Sequence, residues 1–315
     1  MKKAFRIMTI GAAACTVIIT AEELLVFHFG FRKAGDLLMK YWSEHNRTPE
    51  EAKELIRQGN KWLTEQDVRE VSVQSFEGLT LRGHFLVNPD AKRTLIAFHG
   101  YRSNAYYDFG ALVKFYYDQG CNVLLVEQRG HLISEGDYVD FGVLARRDVV
   151  TWTAFANDYF DKQYPLYLTG ISMGAATILM AQDQGLPDNV CGMIADCGYS
   201  NTYREVGYFG SQFGITLTKY KMPVIDWLCE KRAGYRLTDA NPVDALKKAK
   251  VPVLFIHGTE DPLVKPSDTE ENSAACASEH KTVFIEGAVH AQSYFTDPER
   301  YEKEVEEFFL KYDPN

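Results

Sequence analysis

The chain is poor in features that mark several common functions. Its six cysteines (Cys15, Cys121, Cys191, Cys197, Cys229 and Cys276) form no CxxC pair and no cysteine–histidine cluster at zinc spacing, so no metal site is indicated. Cys121, Cys191 and Cys197 lie in or beside apolar runs, where a small buried thiol is ordinary. Cys191 and Cys197 stand too far apart along one extended run to bridge, and no structural disulfide is expected. Positive charge is short as well: 34 Lys and Arg face 43 Asp and Glu, for a net charge of −9, and no basic stripe is present. Nucleic acid is therefore not an expected partner. No internal repeat or low-complexity segment interrupts the sequence.

The amino terminus is the exception to a water-facing composition. Lys2, Lys3 and Arg6 precede an apolar run from Ile7 to Ala21, after which Glu22 and Glu23 interrupt before Leu24 to Phe31. The run alone fits a signal-peptide core better than a complete span. Adding Leu24 to Phe31 gives the length of a span but sets two carboxylates in hydrocarbon, at a cost of a few kcal/mol. A third reading is an amphipathic helix packed on the domain. Anchoring or export is the favoured reading, with membrane association through residues 5–31 and an N-terminal segment over residues 1–34. The three leading cations then favour a cytoplasmic N-terminus and an extracytoplasmic domain at the cell membrane, an asymmetry that Arg32 and Lys33 weaken. A cytoplasmic protein is the alternative.

What is present in quantity is core. Hydrophobic residues make up 46% and aromatics 13% of 315 residues, enough for a large globular interior. Residues 35–68 read as polar helix, with Thr48 at a cap, Pro49 in the first turn and acids after it. Val71–Phe76 and Leu79–Val87 alternate around Glu77–Gly78 as an antiparallel hairpin should. Six short apolar runs follow: Thr94–Phe98, Val123–Val126, Leu166–Thr169, Val190–Ala195, Val253–Ile256 and Thr282–Ile285. Each is rich in Val, Ile and Leu, like strands buried on both faces. Helical lengths between most of them predict an α/β fold, a doubly wound and mostly parallel sheet. One connection, from about 199 to 250, is too long for a crossover. It reads as an inserted helical cap over the carboxyl edge of the sheet, where open α/β folds bind ligands. Its aromatics (Tyr203, Tyr208, Phe209, Phe213, Tyr220, Trp227 and Tyr235) are expected to form the cap's own core rather than substrate contacts.

The sharpest chemical signal is Gly170–Ile171–Ser172–Met173–Gly174, between the strand Leu166–Thr169 and a helix-like run. In that setting G-x-S-x-G is a nucleophile elbow. The turn is so tight that residues two before and two after the serine must lack side chains. A serine hydroxyl needs a base to take its proton, and His290 lies in a loop just past the last strand. The other histidines fit less well. His99 and His131 fall in sheet-edge loops, His257 ends a strand, His280 reads as helical, and His28, His45 and His84 lie upstream. The imidazole in turn needs an acid to hold its tautomer. Asp261 follows the strand around Val253–Ile256 at the same sheet edge, with Glu260 one residue away and Asp196 a weaker competitor.

From about residue 70 to the end the chain resembles an α/β-hydrolase of the serine aminopeptidase and esterase-like branch, of the bacterial membrane-anchored type. The matching pieces are IAFHGYRSNA, EQRGHLISEG, LTGISMGAAT, ADCGYSN, DALKKAKVPVLFIHGTEDPLV and EGAVHAQSY, in the family's order. The resemblance implies a hydrolase domain over residues 35–315 and favours Asp261, before Pro262, as the acid. It also implies an oxyanion hole made by the backbone N–H groups of Tyr101 and Met173, with His99 structural. Two positions depart from the pattern: Glu127 stands where Asp is usual, and Leu132 where Gly is usual. Glu127 and Arg129 are then structural charges beside the site. The activity implied is hydrolysis of a carboxylic ester by Ser172, His290 and Asp261, with an aminopeptidase-like serine peptidase as the alternative and an inactive binding protein as a weaker one. No metal or organic cofactor is implied. The expected partner is a small ester or short peptide substrate; the oligomeric state is not indicated.

Overall fold

The computed structural model describes residues 21–33, 48–212 and 218–314. An eight-stranded sheet organises them. Its strands are β1 (Val68–Gln74), β2 (Thr80–Leu86), β3 (Arg93–Phe98), β4 (Cys121–Glu127), β5 (Leu166–Ile171), β6 (Val190–Asp196), β7 (Val253–Gly258) and β8 (His280–Ile285), in the order β1-β2-β4-β3-β5-β6-β7-β8. β1 and β2 form the antiparallel hairpin, and β2 also meets β4 antiparallel. All other pairings are parallel.

The apolar runs became strands because each has two faces to bury. In β3, Leu95 and Ala97 enter one core with Tyr116, Tyr301 and Phe309, while Ile96 and Phe98 enter the other with Trp152 and Ile178. Period-2 alternation thus delivers apolar residues to helices on both sides of the sheet. The hairpin turn needs Gly78 at φ +84°, which leaves Phe76 out of the strands and 72% exposed.

Some expectations shift. The helix after residue 48 is Glu50–Thr64; Pro49 is its cap, and the Thr48 hydroxyl accepts a hydrogen bond from Tyr107 (2.8 Å) instead of capping. Residues 34–47, including His45, lie outside the described residues. The expectation of helix at His280 fails: it opens β8, paired with Val253 of the neighbouring strand. The long connection holds two helices, Thr202–Gln212 and Thr218–Leu228, a π-helical turn at Cys229–Ala233 and a short helix at Pro242–Leu246. They pack on the nucleophile-bearing side through Val206, Met222, Ile225, Leu228, Leu237 and Ala240, against Met173, Ala176 and Met180. Of the aromatics expected in the cap's core only Tyr235 is buried; Tyr220 and Trp227 are exposed, and Phe213 lies outside the described residues. Most of the cap's own share of that core is aliphatic or methionine, and its buried aromatics come chiefly from outside the cap (Phe27, Phe31 and Phe141).

Residues 21–31 are helical, and their buried positions Glu23, Phe27 and Phe31 recur every fourth residue. Phe27 and Phe31 join the same cluster as the cap. Phe31 then hands over to an extended contact, its carbonyl accepting the Val139 N–H (2.7 Å), while Lys33 N–H donates to Asp137 (2.8 Å). Of the three readings, the packing of Phe27 and Phe31 fits a helix laid on the domain over residues 21–31. Among the described residues no helix is long and apolar enough to cross a membrane. Residues 1–20, most of the apolar run, lie outside them.

Candidate active site

Ser172 sits between β5 and the helix Met173–Met180 with φ +55° and ψ −117°, a strained backbone that lifts the side chain off the sheet edge. The flanking glycines explain why the chain can turn there. A Cβ on Gly174 would stand 1.9 Å from the Phe98 carbonyl oxygen, and one on Gly170 would stand 2.4 Å from the Gly174 carbonyl. The Ser172 N–H is tied to the Asp196 carbonyl at 2.8 Å.

His290 reaches the serine from the loop after β8, its Nε2 2.9 Å from Ser172 Oγ. Its Nδ1 is 2.7 Å from Asp261 Oδ2. With Nδ1–H donating to the carboxylate, Nε2 is left to accept the serine proton. Asp261 is locked in turn: its Oδ1 accepts the N–H groups of Leu263 (2.8 Å) and Val264 (3.0 Å), and His257 Nε2 lies 3.2 Å from Oδ2. Glu260, its neighbour, is exposed, and it is Asp261 that bonds the imidazole. Asp196 accepts the Ser293 hydroxyl (2.8 Å), and burial pushes its carboxyl up to about 6.

The charges of the pair are coupled. Burial opposes ionisation of Asp261, yet the imidazoles of His290 and His257 hold its carboxyl far below the usual range. Burial alone would lower His290; the negative groups beside it win, and the imidazole is held above its usual 6.5. Those groups are Cys197 and Asp261. The Cys197 thiol is itself pushed up to about 11 by burial, so at neutral pH it is uncharged and the lift on His290 comes from Asp261. Cys197, Asp261 and His290 have ligand atoms within 4.8 Å of one another. With the thiol protonated and the other two hydrogen-bonded to each other, the set suits proton transfer better than metal binding.

The turn after β3 brings a second part of the site. The Gly100 N–H donates to Asp108 Oδ2 (2.6 Å), and the Ser103 hydroxyl donates to its Oδ1 (2.5 Å). The Arg102 N–H donates to His131 Nε2 (3.2 Å), and His131 Nδ1 lies 3.0 Å from the Arg129 carbonyl. His131 is held neutral, well below 6.5, chiefly by burial. These bonds fix the backbone on either side of Tyr101. Among the described residues the N–H groups of Tyr101 and Met173 have no acceptor, and Met173 opens a helix, where N–H groups have no partner within the helix. His99 is fully buried between Gln128 and Glu127, a structural neighbour of the turn. Glu127 accepts the Ala105 N–H (3.1 Å), and Arg129 forks onto Asp148 (2.6 Å twice) and reaches Glu77 (2.8 Å). Leu132 takes φ +31°, which accounts for glycine being the usual residue there.

Sequence reasoning missed three groups beside this site: Asp108, Cys197 and Glu205. Only Asp108 left a local trace, at a short helix capped by Asn104, whose side chain accepts the Tyr107 N–H. Two of the cap aromatics also come close. Phe209 meets Tyr101 edge-on at 5.5 Å, and the Tyr208 hydroxyl donates to the Pro262 carbonyl at 3.1 Å.

The sheet order, the strained serine and the serine–histidine–carboxylate line define the protein as a serine hydrolase of the α/β-hydrolase fold. Residues 111–312 match the prolyl oligopeptidase family, and the chain belongs to that family. It is 26% identical over 237 residues to the uncharacterised protein YqkD of Bacillus subtilis, a match that covers 75% of this chain and 77% of that protein. Among solved structures it is similar to the Pyrococcus furiosus esterase Pf2001 (TM-score 0.62, 20% identity, 85% of this chain and 97% of that one). It also resembles a Pyrococcus horikoshii acylaminoacyl peptidase (TM-score 0.57, 18% identity, 78% of this chain and 42% of that one). A dienelactone hydrolase from Anabaena variabilis shares the fold too (TM-score 0.55, 18% identity, 79% of this chain and 99% of that one).

Proposed function

We propose that this serine hydrolase cleaves a carboxylic ester through an acyl-enzyme, with Ser172 as nucleophile, His290 as general base and acid, and Asp261 orienting the imidazole. The observation that carries the reading is the line from Ser172 Oγ through His290 to Asp261, at 2.9 and 2.7 Å, beside two N–H groups without an acceptor. Ser172 Oγ bonds to the carbonyl carbon as its proton passes to His290 Nε2. The carbonyl electron pair moves onto oxygen, where the Tyr101 and Met173 N–H groups stabilise it; one such donor is typically worth about 10²–10³ in rate. Collapse expels the alcohol, which takes the proton from His290, and water then repeats the sequence to release the acid. The likeness to an esterase, over 85% of this chain and 97% of that one, supports ester over peptide. The test is fluorophosphonate labelling, abolished in Ser172→Ala, with p-nitrophenyl esters turned over faster than aminoacyl anilides. Labelling that persists in Ser172→Ala, or a preference for anilides, overturns it.

One observation favours the second reading, a peptidase that grips a free amine. Glu205 of the cap is 7% exposed, and no partner hydrogen-bonds its carboxyl among the described residues. Burial first, and then Asp268, push it up to about 8 despite the nearby His290. A substrate ammonium would supply the missing counter-charge. Glu205→Gln should then weaken turnover of aminoacyl substrates relative to their N-acetylated forms; an unchanged ratio removes this reading.

A further inference from the structure

The helix over residues 21–31 is apolar on both sides, and the protein uses only one of them. At 100° per residue Glu23, Phe27 and Phe31 share the face buried on the domain. Leu25 and Phe29 fall on the opposite face and are 57% and 62% exposed, while Leu24 lies beside Phe31 at the rim of the buried face and is 43% exposed. The exposed side also carries His28, between Leu24 and Leu25; the large apolar side chains around it are the feature that calls for an apolar neighbour. Of the two carboxylates that argue against lipid, Glu23 is turned into the domain, and Glu22, on the outer side next to Phe29, is paired with Lys221 of the cap. The cap helix that supplies Lys221 also carries Tyr220 and Trp227, 65% and 50% exposed and seven residues apart, hence on one side of that helix. Tyr and Trp are the residues enriched where protein meets the headgroup region.

The chain leading into the helix indicates what covers its outer face. From Ile7 to Ala21 no ionisable side chain other than Cys15 occurs, and Lys2, Lys3 and Arg6 stand ahead of that run. Apolar sequence therefore continues without a break of charge into the exposed face, once Glu22 and Glu23 are accounted for by the domain. We propose that Leu24, Leu25 and Phe29, flanked by Tyr220 and Trp227, form a surface that lies on a phospholipid bilayer. The drive is apolar insertion at the headgroup boundary, since a net charge of −9 gives no attraction to anionic lipid.

The contact lies beside the reacting centre. The Tyr101 hydroxyl donates to the Gly30 carbonyl at 2.6 Å, and Arg102 donates to the Phe29 carbonyl. A bilayer at this face would hold lipid-borne esters near Ser172 at high effective concentration; that consequence rests on the ester reading, whereas the surface itself does not.

The test is photolabelling of the full-length protein in nanodiscs of phosphatidylcholine and phosphatidylglycerol carrying an acyl-chain diazirine. Adducts at Leu24, Leu25 or Phe29 should exceed severalfold those at Phe76 and Leu310, which are 72% and 84% exposed on the hairpin turn and the terminal helix. Equal labelling of the two sets overturns the proposal. The double variant Leu25→Ser, Phe29→Ser should keep the oligomeric state of the wild type in detergent. If it instead converts a dimer into monomers, the face joins two copies and the proposal fails.

Discussion

At the scale of residues, Ser172, His290 and Asp261 function only as a set, since each orients or activates the next. Ser172→Ala or His290→Ala should each lower kcat by roughly 10³-fold or more, and the double variant should be little worse. Asp261→Asn should also be severe, because an amide favours the wrong imidazole tautomer. A mild Asp261→Asn beside a crippling Glu260→Gln would overturn the assignment of the acid. The pH profile follows from the same coupling. Asp261 holds His290 above its usual 6.5, so the base stays protonated to a higher pH and activity is lost as pH falls through that raised value. The acid limb of kcat/KM should have its midpoint above 6.5, and the residual activity of Asp261→Asn should move it down. A limb at or below 6.5 in the wild type would show that Asp261 does not set the charge of His290.

At the scale of elements, two turns hold the chemistry. The elbow tolerates no side chain at Gly174, where a Cβ would stand 1.9 Å from backbone. Gly174→Ala should therefore exceed the roughly 1–3 kcal/mol of ordinary overpacking, seen as a lowered denaturation midpoint together with lost turnover. The turn after β3 depends on Asp108, which accepts from Gly100 and Ser103. Asp108→Ala should lower kcat with a smaller change in KM, because the turn binds the developing oxyanion more than the ground state. Asp108→Asn should restore part of the loss; equal kcat values for the two variants would deny Asp108 this positioning role.

At the scale of the whole molecule, the N-terminal helix is part of the folded unit. Phe27 and Phe31 are 5% and 2% exposed within the cap cluster, and truncating a buried Phe typically costs about 3–5 kcal/mol. Against a total stability of about 5–15 kcal/mol, a chain beginning at residue 34 should melt well below one beginning at residue 21 and lose ester turnover. Equal melting of the two chains would show that the helix contributes nothing to the domain.

The sequence alone determined the sheet and the order of the reacting groups. Strands buried on both faces write their pattern as continuous apolar runs, and an elbow demands glycine at fixed offsets from its serine, so both are local signals. Asp261 was separable from Glu260 only by resemblance; the tertiary structure separates them by contact, since buried Asp261 bonds His290 at 2.7 Å and Glu260 is exposed. His280 looked helical because its neighbours are polar, and β7 recruits it into an edge strand by pairing. The helix over 21–31 stayed ambiguous because both faces are apolar and two carboxylates interrupt them. Only the fold supplies the Lys221 partner of Glu22 and the burial of Glu23, Phe27 and Phe31. Cys197 and Glu205 were illegible for the same physical reason: each acts with His290 through space, Cys197 beside it and Glu205 through its charge, across 93 and 85 residues of chain (290 − 197 and 290 − 205), and no local pattern encodes that.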